Sequence, residues 1–399
     1  MEKAPKGLRL HIGIFGKRNV GKSSLLNLLT GQNSSIVSKN KGTTTDPVTK
    51  PMELLPLGPV MFIDTAGIDD IGALGKLRIQ KTLQILDRVD IALIVSDYEG
   101  WGEFESNLFE KFKNLSIPAI AIINKKDIKK ISNEKLSQLK AKLPTIEITT
   151  KDPSNIDIIK AELIKNTPQS FFENDKILSD LIPQKAHVIF VIPIDKEAPK
   201  GRIILPQVQA IRDILDGNQI CTICKTSELA LTLESLKEPP CLVVTDSQAF
   251  AEVDKIVPPN IPLTSFSMLF ARLKGDFYEF LNGAKTIDKL QNGDKILIAE
   301  SCTHHPIEDD IARVKIPKLL NKKTGKTLVF EHYSGHDFPD NLDEYKLIIH
   351  CGGCMTNRRE ILSRTLKARK NGIPITNYGI AIAHCVGILD RASKIFTKA

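Results

Sequence analysis

The run GKRNVGKS, Gly16 to Ser23, constrains this chain more than any other stretch. It follows the apolar segment LRLHIGIF and opens the apolar segment SSLLNLLTG, the strand–turn–helix setting in which GxxxxGK[ST] cradles phosphate. Gly16 and Gly21 let backbone N–H groups turn inward, and the start of the helix adds its partial positive charge. Lys22 is then expected to reach the β- and γ-phosphates of a nucleotide. Ser23 is expected to place its hydroxyl on magnesium, with Ser24 beside it.

Two further motifs select the base and the metal. DTAG closes the strand-like run VMFID, so that Asp64 holds magnesium through water and the Gly67 amide meets the γ-phosphate. NKKD, with Asn124, Lys125 and Asp127, closes AIAIIN. The Asp127 carboxylate accepts from both N1–H and the 2-amino group of guanine, and adenine offers neither, so GTP is the expected nucleotide. The order and spacing of the three motifs resemble those of the translation-factor-like GTPases. KGTTTDP, Lys41 to Pro47, resembles the GTTRD run of the Era and TrmE-like branch, which implies that Thr44 closes over magnesium. Thr45 stands where that branch has Arg. Thr149 and Thr150, followed by Lys151, stand for the Ser-Ala-Lys that contacts guanine through backbone. Lys22, Thr44 and Gly67 are the expected catalytic residues. Ile68 occupies the place of the water-orienting Gln of Ras-like proteins, so slow intrinsic hydrolysis is expected. Asn19 resembles the residue with which potassium-activated GTPases hold K⁺, whose charge can replace that of an arginine finger.

A chain of 399 residues exceeds one hydrophobic core. Strand-like and helix-like runs alternate along it, which predicts α/β architecture in three domains: residues 1–168 as a P-loop GTPase fold with a mainly parallel sheet, 178–266 as a small central domain, and 267–399 as a second open sheet. The central block has no nucleotide fingerprint or catalytic constellation and reads as a structural or dimer-forming module. No fixed-period repeat is evident. The net charge of +8 comes without a Lys/Arg block, so nucleic acid is not an expected partner. No apolar run approaches the roughly 20 residues that span a bilayer, and the start lacks a signal-peptide core, so a cytoplasmic protein off the membrane is expected. Seven cysteines, an odd number, argue against a disulfide framework.

The cysteines point instead to metal. Cys302 and His304 lie in ESCTHHP after the strand-like KILIAE; His350, Cys351 and Cys354 lie in HCGGC after YKLIIH. Both loops sit at the carboxyl ends of strands, where open α/β sheets place ligands. Three thiolates suit three irons of a 4Fe-4S cluster, with the fourth iron left to His304, His350 or another weak ligand. Structural zinc on Cys₃His fits the same residue types, and residue types alone leave both open. Cys221 and Cys224 form a second CxxC within a strand-like run, where residues three apart face opposite sides, and are not expected to bind metal.

CxH followed much later by HCxxC, behind a GTPase domain, resembles the iron-iron hydrogenase maturation GTPase family, HydF, over the whole chain. That resemblance implies a GTPase scaffold that binds a 4Fe-4S cluster on Cys302, Cys351 and Cys354 and delivers a di-iron precursor to the immature hydrogenase. It implies the hydrogenase apoprotein and the radical-SAM maturases as partners, and a homodimer through the central domain. The alternative is a potassium-activated GTPase associated with ribosome or tRNA and carrying a zinc site in its tail.

Overall fold

The computed structural model describes residues 5–31, 48–65, 85–172, 176–194, 203–301 and 310–397. It divides into two compact units, Met1–Asn174 and Asp175–Ala399. The first is built on six strands: β1 (Leu10–Phe15), β2 (Val48–Leu54), β3 (Gly58–Asp64), β4 (Ile91–Ser96), β5 (Ala119–Ile123) and β6 (Thr145–Glu147). Their order is β2-β3-β1-β4-β5-β6. Only β2 runs antiparallel to its neighbour. Leu10, Ile12 and Ile14 of β1 pack into one apolar layer with Leu25 and Leu26, while Phe15, Ile63 and Ile94 enter another with Phe112. Burial on both faces is why these strands read as unbroken apolar runs. The helix α1 (Lys22–Thr30) leaves directly from the turn after β1.

The second unit holds two four-stranded parallel sheets. One is made of β7 (His187–Val191), β8 (Ile220–Cys224), β9 (Leu242–Thr245) and β10 (Leu263–Ser265), in the order β10-β9-β7-β8. The other is made of β11 (Lys295–Glu300), β12 (Val329–Ser334), β13 (Leu347–His350) and β14 (Ile375–Asn377), in the order β12-β11-β13-β14. Read from the first strand of each, both orders are second, first, third, fourth. The registers also coincide. Val188 pairs with Leu242 as Ile296 pairs with Leu347. Thr245 pairs with Ser265 as His350 pairs with Asn377, and His187 with Ile220 as Lys295 with Val329. The second unit is therefore a structural repeat.

Each repeat ends in a helix that starts on a capping side chain. In α2 (Phe266–Lys274), Ser265 accepts from Met268 N at 3.3 Å; in α3 (Tyr378–Val386), Asn377 accepts from Gly379 N at 2.8 Å. The two starts meet, with Ser267 Oγ donating to Asn377 Oδ1 at 3.0 Å. One continuous apolar cluster runs through both sheets and both helices. Among the described residues no helix is long and apolar enough to cross a membrane.

Candidate functional site

The first candidate site lies at the carboxyl ends of β1, β3 and β5. Lys22 is 8% exposed and folds back so that Nζ donates to Gly16 O at 2.9 Å and to Lys17 O at 2.6 Å. This closes the turn into a ring of backbone around the ammonium. Asn19 (φ 60°) and Gly21 (φ 99°) supply its left-handed corners. Ser23 Oγ donates to Asp64 Oδ2 at 2.9 Å, and Ser24 stays exposed. The other Asp64 oxygen, Oδ1, is buried with no hydrogen-bond partner among the described residues. Burial pushes the Asp64 carboxyl above its ordinary value, against the pull of Ser23, Lys22 and Lys50. An orphaned carboxylate oxygen beside a serine hydroxyl suits a hydrated divalent cation. Ser23 and Asp64 thus fit the expected magnesium.

The guanine-side loops have a part that sequence reasoning placed only as a contact. Asn124 is 1% exposed; its Nδ2 donates to Val20 O at 2.9 Å and its Oδ1 accepts from Thr150 N at 3.3 Å. One carboxamide therefore ties the phosphate turn to the Thr149–Thr150 loop. A Cβ on Gly21 would stand 2.2 Å from that same Nδ2. Thr149 is held in turn by Asn155, whose Nδ2 donates to Thr149 O at 3.1 Å, a support that no motif reading found. Lys125 pairs with Asp97 at 3.2 Å. Asp127 accepts from Lys151 Nζ at 2.7 Å, and that bond, with one from Thr149, holds its carboxyl below the ordinary value. Thr44 and Gly67, with Thr45 and Ile68, lie outside the described residues.

The second candidate site lies at the carboxyl ends of the adjacent parallel strands β11 and β13. Cys351 N donates to Ala299 O at 2.9 Å, and Ser301 N donates to Cys351 Sγ at 3.1 Å. Gly353 N also points at that sulfur, at 3.4 Å. Gly353 has φ 66°, and a Cβ there would stand 2.7 Å from Ile361 Cδ1, so the bend needs glycine. Cys351 and Cys354 are half-buried, and burial pushes the Cys354 thiol up to about 11. Backbone N–H groups aimed at sulfur and a nearby buried ammonium, Lys274, suit thiolates holding an anionic core. Cys302 and His304 lie outside the described residues; Ser301 immediately precedes Cys302. Among the described residues no group of three His, Cys, Asp or Glu side chains is placed to hold a metal.

His350 corrects an expectation. It is 1% exposed, with Nδ1 2.8 Å from Cys351 O and Nε2 2.9 Å from Arg364 Nη1. A carbonyl only accepts and a guanidinium only donates, so Nδ1 carries the proton and Nε2 spends its lone pair on Arg364. Burial and then Arg364 push its pKa down to about 3. No ring nitrogen is left for an iron, and His350 props the loop rather than serving as an exchangeable ligand. Arg364 also donates to Gly335 O and to Glu360, both at 2.8 Å. In the other CxxC, Cys221 is half-buried and Cys224 buried.

Fold and first site together define a P-loop GTPase domain followed by a duplicated α/β unit. Known families match three successive stretches of the chain. The 50S ribosome-binding GTPase family matches residues 11–125, the hydrogen maturase F dimerization domain 177–275 and the hydrogen maturase F tetramerization domain 278–395. The chain belongs to the hydrogen maturase F (HydF) family of GTPases. Among curated relatives, GTPase Der of Wolinella succinogenes is 36% identical over 179 residues, 41% of this chain and 37% of that protein. The tRNA modification GTPase MnmE of Geobacillus kaustophilus is 33% identical over 171 residues, covering 42% and 36%. GTPase Era of Aquifex aeolicus is 34% identical over 161 residues, covering 39% and 51%. The chain spans only about a third to a half of these relatives. A solved Era structure from Aquifex aeolicus, bound to GDP and aluminium fluoride, covers 54% of this chain and 92% of its own. The two share 22% sequence identity, with a TM-score of 0.36.

Proposed function

We propose that this chain hydrolyses GTP to GDP and phosphate and serves as a scaffold in assembling the active-site cofactor of an iron-iron hydrogenase. The observation that carries the reading is the succession of two hydrogen maturase F domains directly behind a GTPase domain. In the first unit, Lys22 and the start of α1 hold the β- and γ-phosphates, Ser23 and Asp64 hold magnesium, and Asp127 reads guanine. Magnesium supplies charge to the phosphates. Thr44 and Gly67 sense the γ-phosphate, so hydrolysis releases two loops and changes contact with partner maturases. Asn19 holds a potassium ion.

In the second unit, Cys351 and Cys354, with Cys302, hold a 4Fe-4S cluster, and His304 is an exchangeable neighbour. Ser301, bonded to Cys351 sulfur and next in sequence to Cys302, supports the joining of the two loops. The cluster supplies an attachment point for the di-iron precursor that passes to the hydrogenase apoprotein. We keep the division into 1–168, 178–266 and 267–399, a homodimer through the central part, and a cytoplasmic location as parts of this proposal. The test is anaerobic iron and sulfide analysis with EPR on the wild type and on Cys302→Ala, Cys351→Ala and Cys354→Ala. The expected result is a 4Fe-4S signal that each substitution weakens. A colourless protein with one tetrahedral zinc would overturn the cluster half and leave the GTPase half standing.

A further inference from the structure

Helix α2 is buried on nearly every side, through Phe266, Met268, Leu269, Phe270, Ala271 and Leu273. Its last residue, Lys274, is nonetheless a cation, and it is only 3% exposed. An ammonium in such a place is costly unless its donors are used. Two of them are: Nζ donates to Gly353 O at 2.8 Å and to Thr356 O at 2.6 Å. Both acceptors belong to the loop that carries Cys351 and Cys354. Burial lowers the pKa of the ammonium to about 8, and thiolates in that loop, once ionised, pull it back up. Ser267 and Phe270, on the same helical face as Lys274, lie against Gly352, 3.7–4.0 Å from where its Cβ would stand. One face of α2 is therefore the floor of the cysteine loop.

The repeat shows that the fold does not require this cation. The register that equates Ser265 with Asn377 equates Lys274 with Val386, which packs as an apolar residue against the shared core. It also equates Cys351 with Asp246 and Gly352 with Ser247. The repeat that has thiols in this loop has the buried cation beneath them. The other repeat has neither.

We propose that Lys274 is a positioning residue of the cluster site. It pins the 351–356 loop through two carbonyls and presents a fixed positive charge to the anionic iron–sulfur core held by Cys351 and Cys354. The charge half rests on the cluster reading above, while the pinning half rests on geometry alone. A fixed cation stabilises the more negative, reduced core, so its loss makes the core harder to reduce.

The experiment compares full-length wild type with Lys274→Met, Lys274→Gln and Lys274→Arg. Amide exchange is read in the metal-free protein, and an EPR-monitored redox titration is run after anaerobic reconstitution. In Lys274→Met the 351–356 amides are expected to exchange at least ~10-fold faster, with β11 and β13 unchanged. At the potential that half-reduces wild type, the oxidised-to-reduced ratio is expected to rise about tenfold, a shift of about 59 mV for one electron. Lys274→Arg restores the potential; Lys274→Gln restores loop protection but not the potential. Wild-type exchange and potential in Lys274→Met overturn the proposal. So does a Lys274→Arg protein with an ordered loop and an unrestored potential. A wild type that takes up no iron overturns the cluster reading and the charge half together, and loop exchange then decides the pinning half.

Discussion

Asn124→Ala removes the carboxamide that ties the phosphate turn to the Thr149–Thr150 loop. Two bonds go, to Val20 O at 2.9 Å and from Thr150 N at 3.3 Å, at a residue 1% exposed. A typical buried hydrogen bond contributes ~1 kcal/mol net, so the tie contributes ~2 kcal/mol to holding the loops in one arrangement. On the proposed reading guanine nucleotide spans both loops and binds only that arrangement, so the whole amount is expected as lost affinity, ~30-fold. Asn124→Asp keeps an acceptor for Thr150 N but sets a carboxylate oxygen against the Val20 carbonyl, and it should lose at least as much. The assay is fluorescent GDP titration of wild type and both variants at one magnesium and potassium concentration, with thermal melting as a check on folding. A folded Asn124→Ala protein binding within ~3-fold of wild type would refute the reasoning, because the tie would then play no part in preorganisation.

Gly21→Ala puts a methyl where Asn124 Nδ2 sits, at a φ of 99°, and should abolish GDP binding by equilibrium titration while the second unit melts as before. Asp64→Asn removes a buried carboxylate whose pKa is raised. The folded state then binds more protons than the unfolded one, so the ionised group costs stability above that pKa. The variant should melt higher than wild type without nucleotide and gain no protection from magnesium and GTP. His350 is pushed down to about 3 from 6.5, so its contribution to stability is full above 6.5 and is lost as pH falls toward 3. Denaturant midpoints of the metal-free protein should show a drop over that window that His350→Gln flattens. KCl should accelerate GTP turnover over NaCl at equal ionic strength, and Asn19→Ala should erase the difference; equal rates in wild type would remove Asn19 as a potassium ligand.

The motifs of the nucleotide site are legible in sequence because each is a short local run. The phosphate turn and NKKD each close a strand buried on both faces, so apolar run and motif arrive together, as in LHIGIF and AIAII. Edge strand β2, VTKPMEL, escaped reading because it is half-exposed, polar and broken by proline. The tie through Asn124 was invisible, since its partners Val20 and Thr150 lie far away along the chain. The repeat of the second unit was hidden for another reason. Register and burial repeat while side chains do not, and the visible trace is short: IPLTSF at 261–266 against IPITNY at 373–378. Lys274 had no signal at all, because a lysine ending an apolar helix ordinarily reaches water. One proton and one lone pair decide His350, and only coordinates reveal where they point.

On the proposed function, one chain joins a guanine-nucleotide switch to a cysteine-held cluster for hydrogenase maturation. The measurement that tests it is hydrogen evolution by an immature iron-iron hydrogenase after incubation with this protein, purified anaerobically from cells that also make the radical-SAM maturases. The account predicts activation by wild type and none by the Cys351→Ala protein purified the same way. Equal activation by wild type and Cys351→Ala would contradict it, as would no activation by a wild type carrying its full complement of iron.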